Sequence, residues 1–431
     1  MNTEELLARR KKHAAHSNLH YYEKPFHPVK AQGTRIWDAD GKEYLDAIGG
    51  IVSISVGHNH PKVKAALKAR FDEDGIQHPS VLYLSEPHVR LCEDLAAVSP
   101  EGLEHVMVTN SGSEANEYAV MAARAATGER TMLALKLGYH GGTQLTLNLC
   151  GHSTWKFKGQ PFGEVAHAIQ PDCYRCPFGK EKTSCGLECA KEVENTIQTV
   201  THGKIAGIIV EPIQGVGGFV EPPVEYHAEV YRIVKKYGGM YISDEVQTGI
   251  GRTGESFFAI TQSGITPDMI TMAKSLGNGA PVGAVVMSEE CSSALVGKTH
   301  FNTFGGDPYQ ALQAAMTLEI MAEENLMENI KVQGTFLKEG LLALQEKYSL
   351  IGDVRGRGLL VGMELVTDRE TKAHATAETA RMMEETRKRG LLIGKGGLFG
   401  NVIRLAPPYT ITRSDCEEIL RILDESFQAL G

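Results

Sequence analysis

The sequence lacks both a long apolar run and an excess of basic residues. No hydrophobic stretch approaches the roughly 18 residues that cross a bilayer, and the N-terminus has no apolar secretory core. The 53 acidic residues outnumber the 44 lysines and arginines, which gives a net charge of −9, whereas nucleic-acid-binding proteins are usually basic. Internal repeats and low-complexity segments are also missing from the chain. We therefore expect neither a membrane nor a nucleic acid as a partner.

The first residues predict a short surface helix and not a targeting segment. Residues 3–15 place Glu4 and Glu5 in the first turn and the basic cluster 9–12 later, an order that complements the helix dipole. The basic cluster alone also fits a transit peptide, but such peptides avoid acidic residues. We expect a cytoplasmic protein.

The first two thirds of the chain alternate apolar runs with helical patterns. A predicted hairpin at 33–44 and a predicted helix at 61–74 come first. The apolar runs that follow are nearly continuous, as in buried parallel strands: 104–108, 130–134, 205–210, 239–243, 268–272 and 282–287. With intervening helices such as 113–127 and 226–237, they predict an α/β doubly wound fold, mainly a parallel sheet flanked by helices.

The pattern changes after Gly306. A long helical stretch at 308–345 leads into a strand, a helix and a strand, followed by a closing helix; these elements are predicted at 354–366, 376–390, 391–405 and 413–430. They predict a smaller α+β domain at the C-terminus. We expect an N-terminal segment at 1–65, a large domain at 66–307 and a small domain at 308–431.

Two motifs follow predicted strands and contain small residues. The first, 109–117, opens a predicted helix with Ser111, Gly112 and Ser113, where free backbone N–H groups at a positive helix end suit a phosphate. Taken alone, an ordinary serine cap is the commoner explanation. The second, 139–143, places Tyr139 beside glycines, where its ring is able to stack on a flat ligand, although an ordinary turn explains it equally simply.

Two further motifs end predicted strands with charged residues. Asp244 closes an apolar run at the sheet end where open α/β sheets bind ligands, although an Asp that caps a turn fits as well. Lys274 closes another apolar run before a glycine-rich turn. Most lysines are solvated surface charges, but partial desolvation here lowers the pKa and frees the amine for attack on an aldehyde.

The four motifs together need one ligand with a phosphate, a flat ring, a basic ring nitrogen and an aldehyde. Pyridoxal phosphate has all four groups, and a Schiff-base lysine with an aspartate at the pyridinium nitrogen is the usual protein pattern for it. Asp244 keeps the ring nitrogen protonated in this hypothesis. Lys274, once released by the incoming amine, moves the proton at the substrate Cα as general base and acid.

The chain resembles the class III aminotransferases of fold type I over nearly its whole length, from 37–46 to 403–408. Asp244-Glu-Val-Gln247 and Met272-Ala-Lys-Ser275 are the most specific parts of the resemblance. It implies a shared active site in a homodimer, or in a dimer of dimers, that takes a small amino donor and an α-keto acid. The cofactor-binding residues that it implies are Ser111, Gly112, Ser113, Tyr139, His140, Glu211, Asp244, Val246, Gln247, Lys274 and, towards the neighbouring subunit, Thr303.

The resemblance also implies substrate contacts. Tyr21, Gly50 and Ile51 would line the substrate pocket, and Arg404 matches an arginine that grips a carboxylate through two parallel bonds. A solvated arginine on a strand is the alternative for Arg404.

One departure from the family pattern bears on the substrate. Ornithine and 4-aminobutyrate aminotransferases carry a glutamate where this sequence has Val216, after Glu211-Pro-Ile-Gln-Gly215. The difference disfavours these donors with 2-oxoglutarate. The sequence is closer to the alanine–glyoxylate aminotransferase 2-like branch, which moves amino groups between alanine or β- and ω-amino acids and pyruvate or glyoxylate. A phospho-lyase acting on an amino alcohol phosphate and a 2-oxoglutarate-dependent enzyme of the 4-aminobutyrate type remain alternatives.

Four of the eight cysteines lie close together in sequence: Cys173, Cys176, Cys185 and Cys189. The spacing C-x2-C-x8-C-x3-C is within reach of a structural zinc site. The second spacing is loose, however, and reduced cysteines in the cytosol need no metal. We expect inert thiols and no metal site.

Overall fold

A computed structural model describes residues 2–18, 20–160 and 163–431. The helices are α1 (Thr3–His13), α2 (Gly49–Val52), α3 (Pro61–Asp72), α4 (Glu86–Ala97), α5 (Gly112–Thr127), α6 (Gln144–Leu149), α7 (Glu188–Val200), α8 (Tyr226–Lys236), α9 (Glu289–Ser293), α10 (Pro308–Glu323), α11 (Leu326–Lys347), α12 (Thr376–Lys388) and α13 (Arg413–Leu430). None of them combines the length and the apolar character needed to cross a bilayer, within the part of the chain described.

The strands form three sheets. They are β1 (Pro28–Gln32), β2 (Arg35–Asp38), β3 (Glu43–Asp46), β4 (His105–Thr109), β5 (Met132–Leu135), β6 (Val165–Ala168), β7 (Gly207–Val210), β8 (Met240–Asp244), β9 (Met269–Met272), β10 (Gly283–Met287), β11 (Ile351–Arg357), β12 (Leu360–Asp368), β13 (Ala373–His374), β14 (Leu391–Leu392), β15 (Gly394–Gly396) and β16 (Val402–Leu405).

The central sheet has seven strands in the order β4-β10-β9-β8-β7-β5-β6. All pairs are parallel except those of β10, which is antiparallel to β4 and β9. The strands from β7 to β10 are fully buried, as their continuous apolar composition predicts. The predicted mainly parallel α/β fold is therefore confirmed. Strand β6 was not predicted, because its sequence, VAHA, is only four residues long and is interrupted by a histidine.

The N-terminal segment folds against the C-terminal part of the chain. The predicted hairpin is present as β2 and β3, and β1 extends it on one side. On the other side β3 pairs in parallel with β14. This small sheet joins the two ends of the sequence. The proposed domain boundaries at 65/66 and 307/308 stay a prediction.

Three predicted elements are wrong in the C-terminal part. The single helix over 308–345 is two helices, α10 and α11, because Asn325 takes the left-handed conformation at φ 50° and breaks the hydrogen-bond ladder. The single strand over 354–366 is the antiparallel pair β11 and β12, which turns at Gly358 with φ 54°. The segment 391–405 likewise contains β14, β15 and β16.

Gly207 offers a test of the packing in the central sheet. A Cβ atom at this position would lie 2.2 Å from the backbone oxygen of Met240 in β8. We expect Gly207→Ala to lower stability by about 1–3 kcal/mol through overpacking, seen as a lower melting temperature in differential scanning calorimetry. Gly163→Ala is the matched control, since nothing lies within 4 Å of its Cβ position. Equal melting temperatures for the two variants would contradict the close strand contact.

Candidate active site

A cavity of about 360 Å³ opens at the carboxyl ends of the central strands. Asp244 ends β8, and Lys274 follows β9 by two residues. In the register of these neighbouring strands Asp244 lies opposite Thr271, so both charged residues emerge at the same edge. Most of the predicted cofactor residues line this cavity: Ser111, Gly112, Ser113, Tyr139, His140, Glu211, Asp244, Val246, Gln247 and Lys274.

One end of the cavity is formed by the N-terminus of α5. Ser111 caps the helix, and its Oγ accepts a hydrogen bond from Glu114 N at 3.2 Å. The N–H groups of Gly112 and Ser113 have no partner within the helix, because the first helical turn has no preceding carbonyls. A Cβ on Gly112 would lie 2.9 Å from a methyl of Val246, so glycine permits this close approach. The arrangement is suited to an anion.

The carboxylate of Asp244 is buried and held by three donors. It accepts hydrogen bonds from Asn116 Nδ2 at 2.8 Å, from the His140 ring at 2.8 Å and from Val246 N at 3.1 Å. Asn116 Oδ1 in turn accepts a bond from Thr271 Oγ1 at 2.6 Å. These donors stabilise a buried negative charge that would otherwise be costly.

Lys274 is buried in the cavity wall and takes a left-handed backbone conformation at φ 47°. Burial lowers the pKa of its amine to about 8, although the negative charges of Asp244 and Glu211 act in the opposite direction. The positive charge of Arg404 lowers this pKa further. Near neutral pH a much larger fraction of this amine is therefore neutral than in an ordinary lysine, and the neutral amine is able to attack a carbonyl carbon.

Glu211 connects two loops at the cavity wall. Its carboxylate accepts hydrogen bonds from Tyr139 N at 2.9 Å and from Gly215 N at 2.7 Å. Burial raises the pKa of Glu211 to about 7, and the nearby charge of Asp244 raises it too. The hydrogen bond from Tyr139 N to the Glu211 carboxylate fixes the backbone of Tyr139, which borders the cavity.

Sequence reasoning missed several residues of the cavity. Asn116 is the most important, because it bonds Asp244 directly. It lies one helical turn after Gly112 on the same face of α5, and this spacing is the signal that would have found it. The remaining lining residues are Ser53, Asn110, Gly141, Ala273, Gly279, Ala280, Pro281 and Val282.

Arg404 does not line the cavity, although its charge acts on Lys274. It is buried on β16, where Nε donates to Lys395 O at 3.1 Å and Nη1 to Gly215 O at 3.3 Å. In residues 2–18, 20–160 and 163–431 no acidic side chain lies within 4.0 Å of its guanidinium. The solvated-arginine alternative is therefore wrong. A buried guanidinium without an acid has donors left for a carboxylate.

Val216 lies next to Arg404. A Cβ on Gly396 would touch both the Arg404 side chain at 2.9 Å and Val216 O at 3.1 Å. The backbone of Val216, an apolar residue, therefore approaches the side chain of Arg404.

The other predicted substrate residues lie outside the cavity wall of this single chain. Tyr21 OH accepts a hydrogen bond from Lys395 N at 2.6 Å. Because Lys395 O accepts from Arg404 Nε, Tyr21 lies near Arg404. Gly50 and Ile51 belong to α2, whose backbone is left-handed, with φ of 59° and 70°. A Cβ on Gly49 would meet Ala406 O at 2.9 Å, so this turn packs directly behind β16.

Thr303 is exposed and also lies outside the cavity wall. Its neighbour Asn302 bonds Asn110 at 2.9 Å and Glu114 at 2.9 Å. The segment that carries Thr303 is thus fastened to the helix end at which an anion would bind.

The four clustered cysteines line a separate small cavity of about 20 Å³. Among the residues that the structure describes, no three Cys, His, Asp or Glu side chains are arranged to hold a metal ion. The zinc alternative for Cys173, Cys176, Cys185 and Cys189 receives no support from this geometry.

The chain belongs to the class-III aminotransferase family, whose model matches residues 17–427. It is 42% identical over 425 residues to alanine–glyoxylate aminotransferase 2 homolog 2, mitochondrial, of Arabidopsis thaliana, covering 99% of this chain and 87% of that protein.

Solved structures agree with this family. A PLP-bound amine transaminase from an uncultivated Pseudomonas species has a TM-score of 0.90 at 29% identity, covering 97% of this chain and 98% of that one. A phospholyase from Arthrobacter in complex with phosphoethanolamine has a TM-score of 0.90 at 31% identity, covering 99% and 100%. The protein is a transaminase whose cofactor is pyridoxal phosphate, as the sequence predicted.

The residues of the cavity fit this cofactor. The helix end at Gly112 and Ser113 is suited to the phosphate, and the buried carboxylate of Asp244 is suited to a protonated ring nitrogen. The buried Oε1 of Gln247 has no hydrogen-bond partner within the described part of the chain, so its amide is available to the ligand. Lys274 supplies an amine for the aldehyde.

The lowered pKa of Lys274 predicts how covalent capture of the cofactor depends on pH. Only the neutral amine attacks, so the capture rate should rise about tenfold per pH unit and level off above the pKa of about 8. Stopped-flow absorbance of cofactor-free protein mixed with pyridoxal phosphate measures this rate, with Lys274→Ala as the control. A rate that keeps rising towards pH 10.5, the ordinary pKa of a lysine, would contradict the burial argument.

Proposed function

We propose that the protein moves an amino group between an amino acid, either alanine or a β- or ω-amino acid, and pyruvate or glyoxylate. One observation carries the proposal: a cavity with Lys274 and Asp244 in its wall adjoins the buried Arg404, which has no acidic partner and has Val216 beside it. The similarity to alanine–glyoxylate aminotransferase 2 homolog 2 supports the choice of substrates.

Bound pyridoxal phosphate supplies an aldehyde that takes up the amino group and a ring that accepts electrons from the substrate Cα. Lys274 would hold the cofactor through its amine and, once freed by the donor amine, would take the proton from the donor Cα and pass it to the cofactor carbon that bears the amino group. In the second half of the reaction it would move a proton in the opposite direction, from that carbon to the Cα of the keto acid. The lowered pKa of Lys274 suits both tasks near neutral pH.

The donors Asn116, His140 and Val246 N stabilise a negative charge on Asp244, which would bind a protonated ring nitrogen. Tyr139, whose backbone is fixed by Glu211, and Val246 would hold the ring, and Gln247 would bind its phenolic oxygen. These roles follow the family resemblance and agree with the positions of the residues around one cavity.

Arg404 binds the substrate carboxylate. The nearest groups to its guanidinium are backbone carbonyls, which accept hydrogen bonds without neutralising its charge. With Val216 beside it, no acid of the described chain competes with the substrate for the arginine. The site therefore favours substrates that carry a single carboxylate in both half-reactions, which fits alanine and pyruvate better than glutamate and 2-oxoglutarate.

A keto-acid requirement tests the proposed reaction. We expect turnover of alanine or β-alanine only when pyruvate or glyoxylate is present, as measured by chromatography of both products. The variant Lys274→Ala should show no turnover. Arg404→Met should raise the KM for the keto acid at least tenfold, since a charged hydrogen bond is worth about 1.5–3 kcal/mol. Release of ammonia and phosphate from phosphoethanolamine without a keto acid would instead show a phospho-lyase.

We also propose that the active site is completed in a homodimer. The segment 71–84 and the segment 301–304 expose large apolar side chains, which we call the apolar face: Phe71, Ile76, Leu82, Tyr83, Leu84, Phe301 and Phe304. The two segments are joined by the ring contact of His78 with Phe304 at 5.0 Å. A contiguous exposed apolar surface is typical of a protein interface. Hydrogen bonds of Asn302 connect this face to the helix end at which the phosphate would bind. In the proposed dimer, the exposed Thr303 would reach the phosphate site of the second copy.

The cytoplasmic location stays a proposal.

A charge in the apolar face tests the dimer. Leu84 is 97% exposed in the single chain, and we expect Leu84→Arg to shift the protein from dimer to monomer in analytical ultracentrifugation and to weaken cofactor binding. Val200→Arg is the matched control, because Val200 is an exposed apolar residue at the end of α7, outside the apolar face. A wild-type monomer with full activity would contradict the shared site.

A further inference from the structure

Arg252 is fully buried and has no acidic partner. Its relative exposure is 0%, and within the described ranges no carboxylate oxygen lies within 4.0 Å of its guanidinium. Burial without a counter-ion is costly for a cation, and an apolar side chain of similar size would fill the space at lower cost. The guanidinium must therefore do something that packing alone does not.

The contacts of Arg252 join three separate segments of the chain. A planar guanidinium presents several donors in fixed directions, so it bonds groups from different segments at once. Its acceptors are Pro407 O at 2.6 Å, Ser275 Oγ at 3.3 Å, Leu359 O at 3.4 Å and Ile54 O at 3.5 Å, and the ring of Tyr409 lies 4.2 Å away. The N-terminal segment, the lysine turn and the C-terminal part of the chain therefore meet at this one side chain.

On one side Arg252 supports the backbone of Lys274. The left-handed conformation of Lys274 costs roughly 1–2 kcal/mol, so neighbouring contacts have to hold it. Ser275, the next residue, accepts from Arg252 and donates to Val52 O at 3.2 Å, while its own carbonyl accepts from Ser55 Oγ at 2.7 Å.

On the other side Arg252 holds the strand that carries Arg404. Pro407 follows Arg404 by three residues and lies two residues after the end of β16. Its bond to Arg252 is the shortest that the guanidinium makes. A bound amino acid would have its amine at Lys274 and its carboxylate at Arg404. The guanidinium of Arg252 contacts the chain segments that carry both residues, and so it fixes their positions relative to each other.

We propose that Arg252 is a positioning residue that sets the separation between Lys274 and Arg404 and thereby selects donors by the distance between their amino and carboxylate groups. This inference rests on the proposed role of Arg404.

The test compares donors of increasing length: alanine, β-alanine, 4-aminobutyrate and 5-aminovalerate. For the holoenzyme, kcat/KM is measured for each with pyruvate as acceptor. We expect Arg252→Met to reduce the ratio between the best and the worst donor at least tenfold, and Arg252→Lys and Ser275→Ala to reduce it less, because misplacement by about 1 Å costs up to about 100-fold. A purely structural role would lower all four values by the same factor and leave the ratio unchanged.

A second measurement does not depend on activity. We expect the crystal structure of cofactor-free Arg252→Lys to show Arg404 displaced relative to Lys274 by about 1 Å or more. An unchanged separation together with an unchanged donor ratio would overturn the inference, as would a wild-type enzyme without any length preference. If Arg252→Met fails to fold, Arg252→Lys and Ser275→Ala decide the question.

Failure of the proposed function gives a different result. In that case Arg404→Met keeps the donor ratio of the wild type, which shows that Arg404 does not read the carboxylate. If Arg404→Met lowers the ratio of kcat/KM between the best and the worst donor while the Arg252 variants leave it unchanged, only the inference on Arg252 fails.

Discussion

The site depends on one buried cavity that stabilises the charge of one group, Asp244, and destabilises the charge of another, Lys274. The carboxylate of Asp244 accepts hydrogen bonds from three donors, which stabilise a negative charge there. Burial instead lowers the pKa of the Lys274 amine to about 8 and so favours its neutral form. A cofactor bound between them needs both conditions, since its ring nitrogen must be protonated and its aldehyde must meet an uncharged amine. Glu211, with a pKa raised to about 7, adds a second buried acid, whose hydrogen bonds are to backbone N–H groups.

The topology of the sheet produces this arrangement. Neighbouring parallel strands β8 and β9 end at the same edge, and their register places Asp244 opposite Thr271, three residues before Lys274. The antiparallel strand β10 then returns the chain, so the loop 279–282 closes the cavity beside the lysine turn. Helix α5 starts at the same edge, because it follows β4. In the proposed function, the substrate carboxylate is bound by a different part of the molecule, since Arg404 lies on β16 in the C-terminal part of the chain.

The sequence was sufficient for features that local pattern determines. Asp244 and Lys274 end apolar strands, and such ends meet at one edge of a parallel sheet. Asn116 was missed because its only local signal is its position one helical turn after Gly112, and this spacing does not show that its partner is Asp244, which lies 128 residues further along the chain. The break at Asn325 was missed because the apolar pattern continues on both sides of it. Arg252 is an ordinary arginine in the sequence, and only the folded chain shows that carbonyls from three distant segments surround it.

Nitrogen NMR of the enzyme loaded with ring-labelled pyridoxal phosphate tests the central claim most directly. The pairing with Asp244 predicts a protonated ring nitrogen throughout the pH range in which the wild-type protein stays folded, and a neutral nitrogen in Asp244→Asn. A neutral ring nitrogen in the wild-type enzyme, or one unaffected by Asp244→Asn, would contradict the account.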